Sequence, residues 1–302
     1  MILWLLACSG GGGSDAVDSG PQGPVDADGD GYTADVDCAD DDPARWPATF
    51  TPDTGPAEDY TERLSGAVSL TEPGTLTLCP GRWPVQLTVR TALTIEGLTD
   101  DAGAVVLDGE GEDTVVAVGA PGAKVALKRL TVTGGRPADR TSVSGLAYEA
   151  GGGIICNVEA WLTLEDAFVL DNTAEVGGGL FADEGCSVHL TNTTLAGNRA
   201  ELGAGIMLLF SEVDIDGGAL LFNTASESGG GVYVSTWGTV LLTDTLVADN
   251  RAEEYDGGGV YVAAGTALAV IEDATFAGNT ARDGGGVAVK GVGEAQVSGA
   301  MF

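Results

Sequence analysis

Short runs in which apolar and polar side chains alternate recur through the C-terminal half of the chain, each in the same phase relative to a block of small residues. The blocks are Gly151-Gly152-Gly153-Ile154, Gly177-Gly178-Gly179-Leu180, Gly203-Ala204-Gly205-Ile206, Gly229-Gly230-Gly231-Val232, Gly257-Gly258-Gly259-Val260 and Gly284-Gly285-Gly286-Val287. They are separated by 26, 26, 26, 28 and 27 residues. Counted from the first glycine, the fourth position holds Ile154, Leu180, Ile206, Val232, Val260 and Val287. The sixth holds Cys156, Ala182, Leu208, Val234, Val262 and Val289. A period of two is that of a strand, so these columns point to one side, into a core. The fifth column, Ile155, Phe181, Met207, Tyr233, Tyr261 and Ala288, then faces outward.

A second alternating run follows in each unit, such as Val240-Leu241-Leu242-Thr243, and a third ends at Asn172, Asn198, Asn223, Asn250 or Asn279. Three short strands and three bends in about 26 residues make one coil of a stacked solenoid, because a coil alone buries too little to offset its ordering entropy. Glycine enters bends at positive φ without a steric penalty, and stacked bends leave no space for Cβ. An inward row of asparagines would satisfy bend backbone groups left without partners. Less regular strands between Thr61 and Gly135, including Leu93-Thr94-Ile95-Glu96-Gly97, read as opening coils, and residues 136–150 as a loop leaving the stack.

On these residues the chain resembles the bacterial right-handed parallel β-helix proteins. More narrowly it resembles the polymorphic outer-membrane-protein repeat, in which a Gly-Gly-small-apolar block alternates with Phe-x-x-Asn. Phe276-Ala277-Gly278-Asn279 followed by Gly284-Gly285-Gly286-Val287 is the nearest copy. The resemblance implies an all-β, right-handed single-stranded parallel β-helix over residues 60–302. Its regular repeats occupy 151–302, and its last coil is incomplete, with Phe302 aligned to Phe276. Adhesins, structural surface proteins and polysaccharide enzymes all use such a fold, so the likeness leaves activity open.

Charge narrows the classes. Forty-five acidic residues against 13 basic ones give a net charge of −32. Nucleic acid is excluded as a partner, since neutralising phosphates takes clustered Lys and Arg. A solvated extracellular surface, or one that recruits cations, suits the balance.

At the start of the chain, Met1-Ile2-Leu3-Trp4-Leu5-Leu6-Ala7 is apolar and stops at Cys8, before Ser9-Gly10-Gly11-Gly12-Gly13-Ser14. This run is too short to span a bilayer, which takes about 20 residues. Leu5-Leu6-Ala7-Cys8 resembles a bacterial lipobox. That implies a lipoprotein-type signal peptide at 1–7, lipidation of Cys8, a membrane partner reached through that anchor, and a Gly/Ser-rich tether at 8–25. Ser9 after the cysteine resembles the outer-membrane sorting pattern. A secreted product of an ordinary signal peptide is the alternative.

Residues 26–59 form an acidic segment. Asp26-Ala27-Asp28-Gly29-Asp30-Gly31-Tyr32-Thr33-Ala34-Asp35-Val36-Asp37 fits a twelve-residue calcium loop. Asp26, Asp28 and Asp30 stand at its first, third and fifth positions and Gly31 at the sixth. Tyr32 supplies a backbone carbonyl at the seventh, and Asp37 closes the loop. An all-oxygen donor set selects Ca²⁺ over zinc or copper. Asp35, Asp40 and Asp42 are candidates for a second ion. With Asp37-Cys38-Ala39-Asp40-Asp41-Asp42-Pro43 downstream, the stretch resembles thrombospondin type 3 calcium repeats and a bacterial Asp-Gly-Asp-Gly-Tyr metal-binding motif. The expectation is a segment either disordered or ordered by calcium.

The remaining chemistry is sparse. His189 is the single histidine and has no evident triad partner in the sequence, so no catalytic residue is assigned. Phe181, Met207, Tyr233 and Tyr261 make a candidate binding stripe for a polysaccharide or a cell-surface protein, provided that no loop covers them. Cys38 and Cys79 can pair in an oxidising compartment. Cys156 and Cys186 stand at the sixth and tenth offsets of neighbouring units, about 13 Å apart along a straight strand, so only an intervening bend lets them bond. The sequence assigns neither pair. The leading expectation is a non-catalytic, lipid-anchored bacterial surface protein that presents the solenoid for adhesion or for glycan or protein binding. The alternatives are a calcium-dependent polysaccharide lyase or glycoside hydrolase, and a fragment of a larger adhesin.

Overall fold

The computed structural model describes residues 25–138, 141–143, 146–263 and 265–302. The expected signal peptide, Cys8 and almost all of the tether lie outside these residues. The described chain is a parallel β-solenoid of about 8 turns.

One coil shows how the alternating pattern closes. Val232–Val234 lies on one face, Thr239–Thr243 on the next and Leu246–Ala248 on the third, with Arg251–Ala252 leading back. Each strand pairs in parallel with its counterpart one coil on: Val232 with Val260, Val240 with Ala269, Val247 with Phe276. Along one face the row runs Ile154, Leu180, Ile206, Val232, Val260, Val287 without a slip. Except for the last, which is half-buried, these side chains are at most 1% exposed and belong to one continuous core.

The narrow corners are made by single residues in the left-handed region. Asp244 (φ 50°) turns the chain between Thr239–Thr243 and Leu246–Ala248, and Asp249 (φ 54°) turns it again before Asn250. The asparagines then point inward. Asn172, Asn198, Asn223 and Asn250 are fully buried. Asn198 Nδ2 donates to Val169 O and to Asn223 Oδ1, both at 3.0 Å. Asn223 repeats this with Leu195 O and Asn250 Oδ1. Each amide thus donates to a carbonyl of the strand one coil back and to the next asparagine in the row, which keeps buried polar groups paired.

The outward fifth column is not a surface. Phe181 is 1% exposed, and Met207 and Tyr261 are 7% exposed; Tyr233 and Ala288 are half-buried. The residue just before each glycine block folds back over the strand that follows the block. Ala150, Val176 and Leu202 form a bridged row of their own and pack on Ile155, Phe181 and Met207. Gly177 (φ +63°) makes this reversal, and a Cβ there would lie 2.8 Å from Phe181 Cβ. Within the predicted stripe of Phe181, Met207, Tyr233 and Tyr261, Phe181 and Met207 are therefore the floor of a second, thin apolar layer, with Tyr233 packed against it and Tyr261 buried beyond it. Tyr233 packs against Tyr261 with the rings tilted by 49° and their centroids 4.9 Å apart, and desolvation pushes its phenol up to about 12.

Among the described residues two disulfides are formed. Cys156 and Cys186 have Cα atoms 5.9 Å apart. The straight-strand distance fails because the strand Leu180–Ala182 ends and the chain turns before Cys186, which re-enters the core beside its neighbour in the previous coil. Cys38 and Cys79 are bonded with Cα atoms 5.5 Å apart. The excursion at 136–150 carries a small antiparallel pair, Thr141–Val143 with Leu146–Tyr148, off the stack.

The first sheet begins earlier than the boundary at residue 60. Ala48–Pro52, inside the acidic segment, lies antiparallel on Gly74–Leu78, with Phe50 opposite Leu76. Glu58–Asp59 adds outside it. Phe50 is 1% exposed, so this strand covers the N-terminal end of the core.

Candidate metal centre at the N-terminal cap

The acidic loop sits against this covering strand, and its fold follows from local hydrogen bonds of short carboxylates. Asp28 Oδ1 accepts from Asp30 N (3.1 Å), Asp30 Oδ1 from Tyr32 N (2.9 Å) and Asp37 Oδ1 from Ala39 N (2.8 Å). Each is an Asx turn, in which the side chain bonds the backbone two residues on. One oxygen of every carboxylate is thereby used. The other three, Asp28 Oδ2, Asp30 Oδ2 and Asp37 Oδ2, are buried and have no hydrogen-bond partner.

These side chains converge, with ligand atoms of Asp28, Asp30 and Asp37 within 4.8 Å of one another. Two oxygens bound to one Ca²⁺ at 2.3–2.6 Å are separated by at most about 5 Å, so the spacing fits one hard cation. Asp37 is 2% exposed. Desolvation raises the carboxyls of Asp28 and Asp37 above their ordinary value, and the surrounding carboxylates push the same way. Three like charges, each with one oxygen buried without a donor, are costly unless a cation compensates them.

The positions expected from the sequence sort as follows. Asp28, Asp30 and Asp37 meet in the first group. Asp26 joins Asp28 and Asp40 in a second group that shares Asp28, and its two oxygens also accept Gly29 N (2.6 Å) and Gly31 N (3.1 Å). The phenol of Tyr32 donates to Asp59 Oδ2 at 3.0 Å. The proposed trio of Asp35, Asp40 and Asp42 does not assemble. Thr33 O accepts from both Val36 N (2.8 Å) and Asp37 N (2.9 Å), a turn that sends Asp37 inward and leaves Asp35 exposed beside Thr33. Asp42 accepts from Ala44 N on the surface. Only Asp40 reaches the loop, where its Oδ1 accepts Ala27 N (3.0 Å).

Elsewhere, His189 lies on an outer face, paired in register with Asp214. Among the exposed aromatics that sequence reasoning missed are Trp161, Phe210 and Trp237, 56%, 43% and 63% exposed. Strand periodicity is silent about them, because two of the three occupy corners. Among the described residues no helix is long and apolar enough to cross a membrane. Comparison with protein families, with curated proteins and with solved structures finds no match to this chain.

Proposed function

We propose that this chain is a non-catalytic surface lipoprotein. Cys8 carries the lipid, residues 8–25 form the tether, and a calcium-ordered cap holds a solenoid outside the cell, where it serves adhesion or the binding of glycans or proteins. The observation that carries this reading is the convergence of three buried, donor-less carboxylate oxygens from Asp28, Asp30 and Asp37 at the cap. Millimolar calcium is characteristic of extracellular modules. Two disulfides and a net charge of −32 also favour an oxidising, solvated compartment.

The test expresses the full chain in a bacterial host. The wild type is expected in the membrane fraction, labelled by a fatty-acid probe and open to an impermeant surface reagent, while Cys8→Ser is expected unlabelled. Retention of wild-type protein in the cytoplasm would end the surface reading. Calorimetry with Ca²⁺ tests the cap by itself, and an absence of heat in the wild type would end the calcium part.

A further inference from the structure

Three of the exposed aromatics, Trp161, Phe210 and Trp237, lie along one edge of the solenoid, at the wide corner that precedes the eleven-stranded sheet. Phe210 and Trp237 occupy this corner in successive coils, and Phe210 N donates to Thr236 O at 2.9 Å. Both are in the left-handed region, at φ 50° and 56°. That conformation costs a bulky L-residue about 1–2 kcal/mol. Other coils fill the same corner with Glu184 or Gly265. Phe210 and Trp237 therefore carry a backbone penalty and leave much of their rings in water, so the fold gains little from them. Trp161 opens the strand Trp161–Glu165 beyond the same corner, two coils earlier.

The charge around these rings chooses the ligand. The corner bends 157–160, 183–186, 209–211 and 235–238 contain no Lys or Arg. Glu159, Glu184 and Glu212 are exposed on this edge, and none of them pairs with a cation among the described residues. Anionic ligands are repelled around Phe210 and Trp237, whereas Trp161 lies in register with Lys124. A neutral glycan would use the rings but desolvate the carboxylates without compensation. A guanidinium satisfies both, stacking on an aromatic face while pairing with a carboxylate. We infer that this edge docks a basic, arginine-containing segment of a partner protein, with Phe210 and Trp237 as its stacking platforms. This deepens the adhesive reading by giving the partner's chemistry, and it rests on that reading only for the setting in which the partner is met.

The test titrates an arginine-rich synthetic peptide into the purified full chain in solution, followed by tryptophan emission. Phe210→Gly and Trp237→Gly should each weaken binding about five- to ten-fold, and thermal melts should show both variants at least as stable as the wild type. Phe222→Gly, which removes a left-handed exposed aromatic from a different corner, should bind like the wild type. Equal affinity in all three variants would mean diffuse charge attraction and would overturn the proposal. So would binding of a soluble neutral glucan at this edge in place of the peptide. Failure of surface labelling, by contrast, would leave the peptide titration unchanged, so the two readings fall separately.

Discussion

The hydroxyl of Tyr32 donates to Asp59 Oδ2 at 3.0 Å. Through this bond the acidic loop holds Glu58–Asp59, the outermost strand of the cap, while Cys38–Cys79 holds the loop to the end of Gly74–Leu78. The carboxylate group therefore lies between ties to the two strands that flank the covering strand Ala48–Pro52, and whatever neutralises it also steadies the end of the core.

Calcium should act on stability through those ties. At a hundred-fold excess over its dissociation constant, Ca²⁺ should stabilise the chain by about 2.7 kcal/mol, measured by denaturant titration with and without chelator. Asp37→Asn should abolish that increment. In chelator the same variant should be as stable as the wild type or more so, because it removes a desolvated charge and keeps the side-chain shape. Loss of stability in both conditions would show that Asp37 has only a structural part.

The asparagine row should be the most sensitive interior feature. Asn223→Ala leaves Leu195 O without its side-chain donor and removes the acceptor used by both Asn198 N and Asn198 Nδ2. Unmet buried groups cost about 1–3 kcal/mol each, so a loss of about 3–5 kcal/mol is expected. Asn279→Ala, at the half-buried end of the row, should cost less. Hydrogen exchange at the Asn198 amide reports the difference locally, which suits a solenoid whose coils contact only their neighbours.

Corner residues should respond with opposite signs. Phe222 (φ 53°) is 60% exposed, so Phe222→Gly relieves left-handed strain with little lost burial and should stabilise by about 1 kcal/mol. Gly197 (φ +68°) stands one coil earlier in the same corner, and a Cβ there would come within 2.4 Å of Asp171 Oδ1. Gly197→Ala should therefore destabilise, by thermal melting, where the usual effect of such a change in an extended chain is a small gain.

What could be read from the chain beforehand divides along physical lines. Val232 and Val260 share a row because alternation and spacing both survive stacking, and the inward asparagines follow from the need to satisfy bends. Alternation also placed Phe181 and Met207 correctly on the outer side of their strand. It is blind to a chain that doubles back, although Val176 and Leu202, apolar and immediately before a glycine block, are the residues that form the roof. Cys156 and Cys186 were measured along a straight strand that in fact ends between them. In the acidic loop, spacing singled out Asp28, Asp30 and Asp37, which the structure brings together, whereas the approach of Asp40 in place of Asp35 and Asp42 depends on a turn at Thr33 that carboxylate counting does not see.

Acid should loosen the coil around Asp256 before the rest. This carboxylate is 6% exposed and accepts Lys290 Nζ at 3.0 Å and Arg282 at 3.3 Å. The hydrogen bond from Lys290 is the main cause holding its carboxyl below the ordinary value, against desolvation, with the charge of Arg282 acting the same way as Lys290. A carboxylate lowered in the folded state releases its proton more readily there than in the unfolded chain. Its stabilisation is therefore complete above the unfolded carboxylate range and is lost as pH falls through the folded value. Amides of Val260–Val262 and of the bridge between Asp256 and Asp283 should lose exchange protection in that window, while those of Ile206–Leu208 hold. Lys290→Met should move the loss to higher pH, because it removes the largest cause of the shift. Asp256→Asn should remove the pH dependence and, by leaving Lys290 and Arg282 without their shared acceptor, lower stability at neutral pH by about 1–3 kcal/mol. A pH profile identical in the wild type and Lys290→Met would mean that Arg282 alone governs the carboxylate.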